Sequence, residues 1–159
     1  MPIFLKLGDV EGEATADGHE GEIEIMSYSF GASNSGSMIG ANKGSGTSQI
    51  TDMSLTHMMD KASPNLFAKC YDGEVIDEAV LTIQKTVGGE DVDYQIYTMD
   101  SVLVTSAMTS GSSGGDDKPM ESFSLNFAQL GIKYTPIKDD GSEDAAIEHG
   151  WDLTTGQPK

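Results

Sequence analysis

Residues 22–30 read EIEIMSYSF, and this stretch decides the fold. Side chains on a β-strand alternate between faces with period two. Ile23 and Ile25 share one phase, whereas Tyr28 and Phe30 share the other. All four can face one core only if an extra residue is inserted between the two pairs. The spacing therefore predicts a β-bulge, with a bend, near Met26–Ser27. The same break recurs later. Phe123, Leu125 and Phe127 stand on odd positions, and Leu130, Ile132 and Tyr134 on even ones. A second bulge or bend is predicted near Ala128–Gln129. Two long strands, each bent in this way, favour a closed or rolled β-barrel over a flat sandwich.

Working outward, the remaining segments are also strand-like. Ile3 to Leu7 reads as a short first strand, and Ile50 to Met59 as another with Met53, Leu55, His57 and Met59 on one face. Ala79, Leu81, Ile83 and Val87 alternate, Gly88-Gly89 signals a turn, and a long strand follows over Val92 to Met108. A last strand is expected around Ile147 to Leu153, including Trp151. One helix is signalled. Ser63 offers a cap, Pro64 fits the first turn, and Gly73 is placed to stop it. A helix of two or three turns must pack on the sheet to persist. The expected fold is all-β, mainly antiparallel, with one short flanking α-helix, in a single domain over 1–159.

Within the 159 residues, 32–48 stand apart as an extended Gly/Ser-rich loop, ASNSGSMIGANKGSGTS. Structureless loops of this length are uncommon in compact domains and usually functional or disordered. Met38 and Ile39 are its only large apolar pair. A flexible linker has no need of them, so they read as an anchor for something the loop touches.

The formal net charge is −17, with nine lysines and no arginine. Such a surface repels phosphate backbones and anionic membranes, so neither nucleic acid nor membrane insertion is expected. The missing arginine also weakens a phosphoryl-transfer reading. Cys70 is the one cysteine, so no internal disulfide organises the fold. The N-terminus, MPIFLKLGDV, lacks a basic leader followed by a long apolar run. No stretch approaches the ~18 apolar residues of a membrane span. The chain is expected to start in the cytoplasm.

Catalytic and metal patterns do not assemble. Gly111-Ser112-Ser113-Gly114-Gly115 matches G-x-S-x-G, but it lies in a low-complexity loop between strands with no helix behind it. His19, His57 and His149 lack metal-ligand spacing. His57 reads as a hydrogen-bonded core histidine, and His19, in an acidic loop, as exposed. The acidic clusters lack the calcium-loop spacing. No cofactor and no metal is expected. From these features alone, a secreted or surface β-sandwich binding carbohydrate or protein is one reading. A hydrolase using Ser113 or His57 is another.

Several segments, in order, resemble the Hcp (hemolysin co-regulated protein) family over nearly the whole chain. They are Ile3-Phe4-Leu5-Lys6-Leu7; Gly12-Glu13 followed by His19 and Glu22-Ile23; and Met26-Ser27-Tyr28-Ser29-Phe30-Gly31. Asp60-Lys61-Ala62-Ser63-Pro64-Asn65-Leu66, Leu81-Thr82-Ile83 before Gly88-Gly89, and Val102-Leu103-Val104-Thr105-Ser106 continue the match. Ser124-Leu125-Asn126-Phe127-Ala128, Tyr134-Thr135-Pro136 and Gly150-Trp151-Asp152 complete it. DKASPNL and SLNFA in this order are specific. The family often has tryptophan where Tyr28 and Phe30 stand, and basic residues near Thr82 and Lys118.

The resemblance implies a tube protein of the type VI secretion system and not an enzyme. It implies hexameric rings of β-barrels, stacked into a tube that a contractile sheath expels. The implied partners are further copies of the chain, sheath and spike proteins, and effector proteins carried or chaperoned in the lumen. Export would run through the secretion apparatus without a cleaved signal peptide, and no fused effector domain is expected. If Tyr28 and Phe30 face the core, Ser27 and Ser29 face away, toward a lumen where they would meet cargo. The loop around Met38, Ile39 and Lys43 becomes the contact to the next ring.

Overall fold

The structure is a computed structural model, which describes residues 1–40, 46–115 and 117–159. Its strands are β1 (Ile3–Leu7), β2 (Ile23–Glu24), β3 (Ser27–Ser29), β4 (Ala32–Asn34), β5 (Ser48–Ile50) and β6 (Met53–Met58). Helix α1 (Ser63–Asp72) follows, then β7 (Ile76–Val87), β8 (Glu90–Ser110), β9 (Met120–Tyr134), β10 (Ile147–Asp152) and β11 (Gln157–Pro158). Every pairing between these strands is antiparallel. The fold is thus mostly antiparallel β with one short helix.

The ladder runs β11-β10-β9-β8-β7-β1-β2, with β6 pairing both β9 and β3 off that path. A closed barrel is not formed, and that part of the expectation needs correction. The reason is local. The chain changes face between β2 and β3, where Met26 and Ser27 are both exposed while Ile25 is buried and Tyr28 half-buried. Ile25 N–H donates to Ile3 O at 2.9 Å, and the next residue, Met26, donates its N–H to Thr56 O at 2.8 Å. The backbone switches partners from β1 to β6 there, at the position where the alternation predicts a break.

The second break takes a different form. Phe127 and Leu130 are both buried, but the β8–β9 register does not shift between them. Instead both strands change face together: opposite Ala128 lies Ser101, at φ 53°, between buried Met99 and Val102. A left-handed residue reorients β8 without adding to it. The register shifts lie elsewhere, at Ile83/Gln84 in the β7–β8 pair and at Val104/Ser106 in the β8–β9 pair. At the same point β9 changes its other neighbour, from β10 through Gln129 to β6 from Leu125.

The core lies between the inner faces of the sheet and includes fully buried Leu5, Ile23, Leu55, Leu81, Met99 and Leu125. Burying one such side chain contributes about 1.5–3 kcal/mol. The β7–β8 turn is two glycines, Gly88 at φ 61° and Gly89 at φ 86°, with Val87 opposite Glu90. Positive φ at both centres gives a turn whose twist matches the flanking strands.

Helix α1 packs on β8 through Leu66, which is 1% exposed. Its start corrects the expected Ser63 cap: Ser63 is the first helical residue and Ala62 precedes it. Asp60 supplies the cap chemistry. Its Oδ1 accepts from Ala62 N–H at 2.9 Å, and Asp60 N–H donates to Ser63 Oγ at 3.1 Å. This reciprocal pairing satisfies N–H groups that the turn leaves free. Gly73 ends the helix at φ 65°.

Candidate assembly surfaces

The outward face of β3, β6, β9 and β8 carries two rows of uncharged side chains, all but one of them serine or threonine. Register aligns Ser29 with Ser54, Ser54 with Ser124, and Ser124 with Ser106. One step along, Ser27, Thr56, Ser122 and Met108 stand side by side. The rows exist because β6 reads MSLTHM and β9 begins MESFSLNF. Met53, Leu55, Phe123 and Leu125 turn inward, and the residues between them turn outward.

The hydroxyls are hydrogen-bonded to one another. Ser27 Oγ and Thr56 Oγ1 are 2.6 Å apart. The bulge at Thr105 sets two β8 residues against one on β9, so Thr105 and Ser106 both reach Ser124 Oγ, at 2.7 and 2.6 Å. Asp52 closes this edge, accepting from Thr105 Oγ1 and from Asn126 Nδ2, each at 2.8 Å. No lysine or glutamate stands in either row, in a chain whose net charge is −17. Such a face can offer and accept hydrogen bonds without attracting or repelling by net charge.

Of the residues singled out from sequence, Ser27 and Ser29 are exposed on β3, opposite Thr56 and Ser54. Tyr28 and Phe30 turn inward, with ring centroids 5.7 and 5.2 Å from that of Tyr97. Burial, then a hydrogen bond with Tyr28, pushes the Tyr97 phenol well above its ordinary value, so it stays neutral. Met38 and Ile39 are 74% and 88% exposed. Lys43 lies outside the described residues. The stretch 32–48 is framed by β4 and β5, which pair as Ala32 with Ile50 and Asn34 with Ser48. With Thr51 N–H donating to Gly31 O at 2.8 Å, this hairpin prolongs the β3–β6 ribbon.

Ser54, Thr56, Ser106, Ser122 and Ser124 escape a reading of the sequence by motif. The alternation of serine and threonine was visible in each strand, but only the register brings the four strands' hydroxyls together.

Two of the three histidines, His57 and His19, are buried, and His149 is exposed on β10. His57 is fully buried in the core with Nε2 3.1 Å from Glu121 Oε2 and Nδ1 3.8 Å from Asp60 Oδ1. Neither ring nitrogen has a hydrogen-bond geometry with these carboxylates, which corrects the expected hydrogen-bonded state. Burial holds the Asp60 carboxyl above its ordinary range.

His19 is 7% exposed, not exposed as its acidic loop implied. Its ring stacks on Phe4, with centroids 4.6 Å apart and planes at 8°. Nδ1 lies 2.8 Å from Glu22 Oε2 and Nε2 3.1 Å from Asp93 Oδ1. Burial lowers the His19 pKa, but the hydrogen bonds to Glu22 and Asp93 outweigh it and leave it raised. Gln84 Nε2 also donates to Asp93, at 2.7 Å. His19 therefore ties the loop after β1 to β8. Ser113 is exposed in the turn between β8 and β9, without a histidine bonded to it.

Comparison with known proteins now decides the family. Residues 4–134 match the family described as "Type VI secretion system effector, Hcp". The chain belongs to the Hcp family of type VI secretion proteins. Protein hcp1 of Pseudomonas aeruginosa is 42% identical to it over 155 residues, covering 96% of this chain and 95% of that one. A solved structure of a type six secretion system protein superposes with a TM-score of 0.93 at 28% identity, covering 99% of each chain. Hcp1 from Salmonella typhimurium gives 0.82 at 29% identity, covering 99% of this chain and 98% of that one. The segments that resembled Hcp in the sequence are therefore those of a true Hcp chain, and Hcp is a structural, secreted family not known for enzymes. Membership also displaces the carbohydrate- or protein-binding sandwich. Among the described residues of this Hcp chain, no helix is long and apolar enough to cross a membrane.

Proposed function

We propose that this Hcp chain is a subunit of the type VI inner tube, in which six copies close into a ring and rings stack beneath a contractile sheath. The row Ser29, Ser54, Ser124 and Ser106 carries the reading. A sheet whose inner face is core and whose outer rows are uncharged and mostly hydroxyl suits the wall of a channel that passes proteins. Within each chain, Ile23 to Ser29 runs from β1 to β6, and in the ring the free edges of the sheet meet a neighbour's. Edge-to-edge association that closes into a ring removes exposed ladder groups that would otherwise template aggregation.

Ser27 and Ser29 then face the lumen and touch effector cargo. Met38, Ile39 and Lys43 belong to the loop that meets the next ring. Sheath, spike and effector proteins are the partners, and export follows the apparatus. The test is a negative-stain micrograph of the purified protein. Ring-shaped particles with six-fold symmetry support the reading. A field of particles the size of one 16.9 kDa chain contradicts it.

A further inference from the structure

Of the nine methionines, Met26, Met58 and Met59 line one cavity, and Met108 and Met120 line another. Register joins the two, because Met58 on β6 stands directly opposite Met120 on β9. Met59 N–H donates to Pro119 O at 2.9 Å. Ladder bonds alternate along an antiparallel pair, so the step before it, Met58 with Met120, is the closer kind without bonds of its own. Side chains opposite each other on one face have Cβ atoms about 4.5–5.5 Å apart. Met108 on β8 stands opposite Ser122, two positions along β9 from Met120 and on the same face. Such a diagonal measures about 7–8 Å, within reach of long side chains. Three thioethers from three adjacent strands therefore share one patch.

These three side chains are not core. Met108 is 66% exposed, Met120 43%, and Met58 half-buried, whereas Met53 and Met99 are fully buried. Alternation places them. Met58 continues the outward phase of Ser54 and Thr56 on β6, and Met120 precedes Ser122 and Ser124 on that of β9. The outward face thus passes from hydroxyl to sulfur at this end of the two strands.

The chemistry of the patch selects its ligand. The cavity beside Met108 and Met120 measures about 140 Å³ and is also lined by Thr56, Thr109, Ser110, Glu121 and Ser122. No basic residue stands among these, and a chain of net charge −17 draws cations toward it. A thioether is a soft, uncharged donor. Soft sulfur ligands select Cu(I), whereas calcium and magnesium take carboxylates, and zinc favours thiolates and imidazoles. The rotatable bonds of methionine let sulfurs on neighbouring strands turn toward a common point.

We propose that Met58, Met108 and Met120 form a binding site for one soft monovalent cation of the Cu(I) and Ag(I) class. Every donor comes from one chain, so the inference stands independently of the ring reading. A thioether has no proton to lose, so uptake is the same at pH 6 and pH 7.5, unlike that of a thiolate or imidazole site.

The experiment titrates silver nitrate into the full, unsubstituted chain carrying ¹³C-labelled methionine methyls. The methyl resonances of Met58, Met108 and Met120 should shift together and saturate at one site per chain, with those of Met38, Met53 and Met99 unmoved. Equal shifts at Met38 would reduce the effect to exposure of any thioether, and absence of shifts at the three would remove the site. Affinity is then measured with Cys70→Ser as background, which takes the one thiol away, using Ag(I) and, under ascorbate without oxygen, Cu(I). Met120→Leu conserves volume and should weaken binding at least about tenfold, while Met38→Leu should leave it unchanged. Undiminished affinity in Met120→Leu contradicts the proposal. So does an affinity that falls between pH 7.5 and pH 6, because it would assign the cation to a histidine.

Discussion

The hydroxyls of Ser106 and Ser124 meet at 2.6 Å across β8 and β9, next to a bulge that brings Thr105 to the same oxygen. The bulge thus fits two β8 hydroxyls against one β9 serine. It extends the outward polar row to a fourth strand, where strict alternation would have offered one hydroxyl. The wall proposed for the lumen is built by this register as much as by its composition.

Ser29→Gln tests that wall. Ser29 is exposed and its nearest row neighbour is Ser54, so the longer side chain should fold without clash and change stability by less than about 0.5 kcal/mol. Cargo retained by the ring should fall about tenfold in a pull-down, since a protruding amide disturbs contact at the channel wall. Unaltered retention would remove Ser29 from the cargo surface.

His19 makes stability depend on pH. Its folded pKa is raised above the ordinary histidine value of 6.5. The charged ring's contribution is therefore complete below pH 6.5 and is lost as pH rises through the raised value. His19→Gln should destabilise the fold by about 2 kcal/mol near pH 6, and by less near pH 9. Denaturant melts of both proteins at the two pH values measure this. An equal loss at both would show that the ring acts through packing on Phe4 alone.

Gly12 admits no side chain. A Cβ there would lie 2.4 Å from Glu22 O and 2.7 Å from Ile23 Cα, both backbone atoms. Gly12→Ala must push the loop off β2, at a cost of about 1–3 kcal/mol. A thermal melt should show a clear fall in Tm, whereas Gly31→Ser, at a position with open space and no left-handed backbone, should cost less.

Ring stacking should strengthen with salt. Each chain carries −17, so stacked hexamers repel one another, and salt screens exposed charge over about 8 Å at physiological strength. Sedimentation from low to high salt should show a growing stacked fraction. Stacking that stays constant or weakens would mean that attraction between opposite charges dominates the ring contact.

The parts legible in the sequence were those set by neighbours along the chain. The break of period two at Met26–Ser27 marks the switch between β2 and β3, and Pro64 with Gly73 bracket the helix. What depended on distant partners was hidden. His19 reads as solvated because its neighbours are acidic, yet Asp93, 74 positions on, closes its cage. Ser63 has the chemistry of a cap, but Asp60 takes that role. The face change at Ala128–Gln129 was visible, while its cause, Ser101 on the opposite strand, was not. The hydroxyl rows required the register of four strands, which alternation alone does not specify.

Sedimentation equilibrium of the purified protein across a wide concentration range tests the tube reading most directly. A dominant species at six times the chain mass, persisting on dilution, is the predicted result. A single-chain mass at every concentration and ionic strength would contradict it.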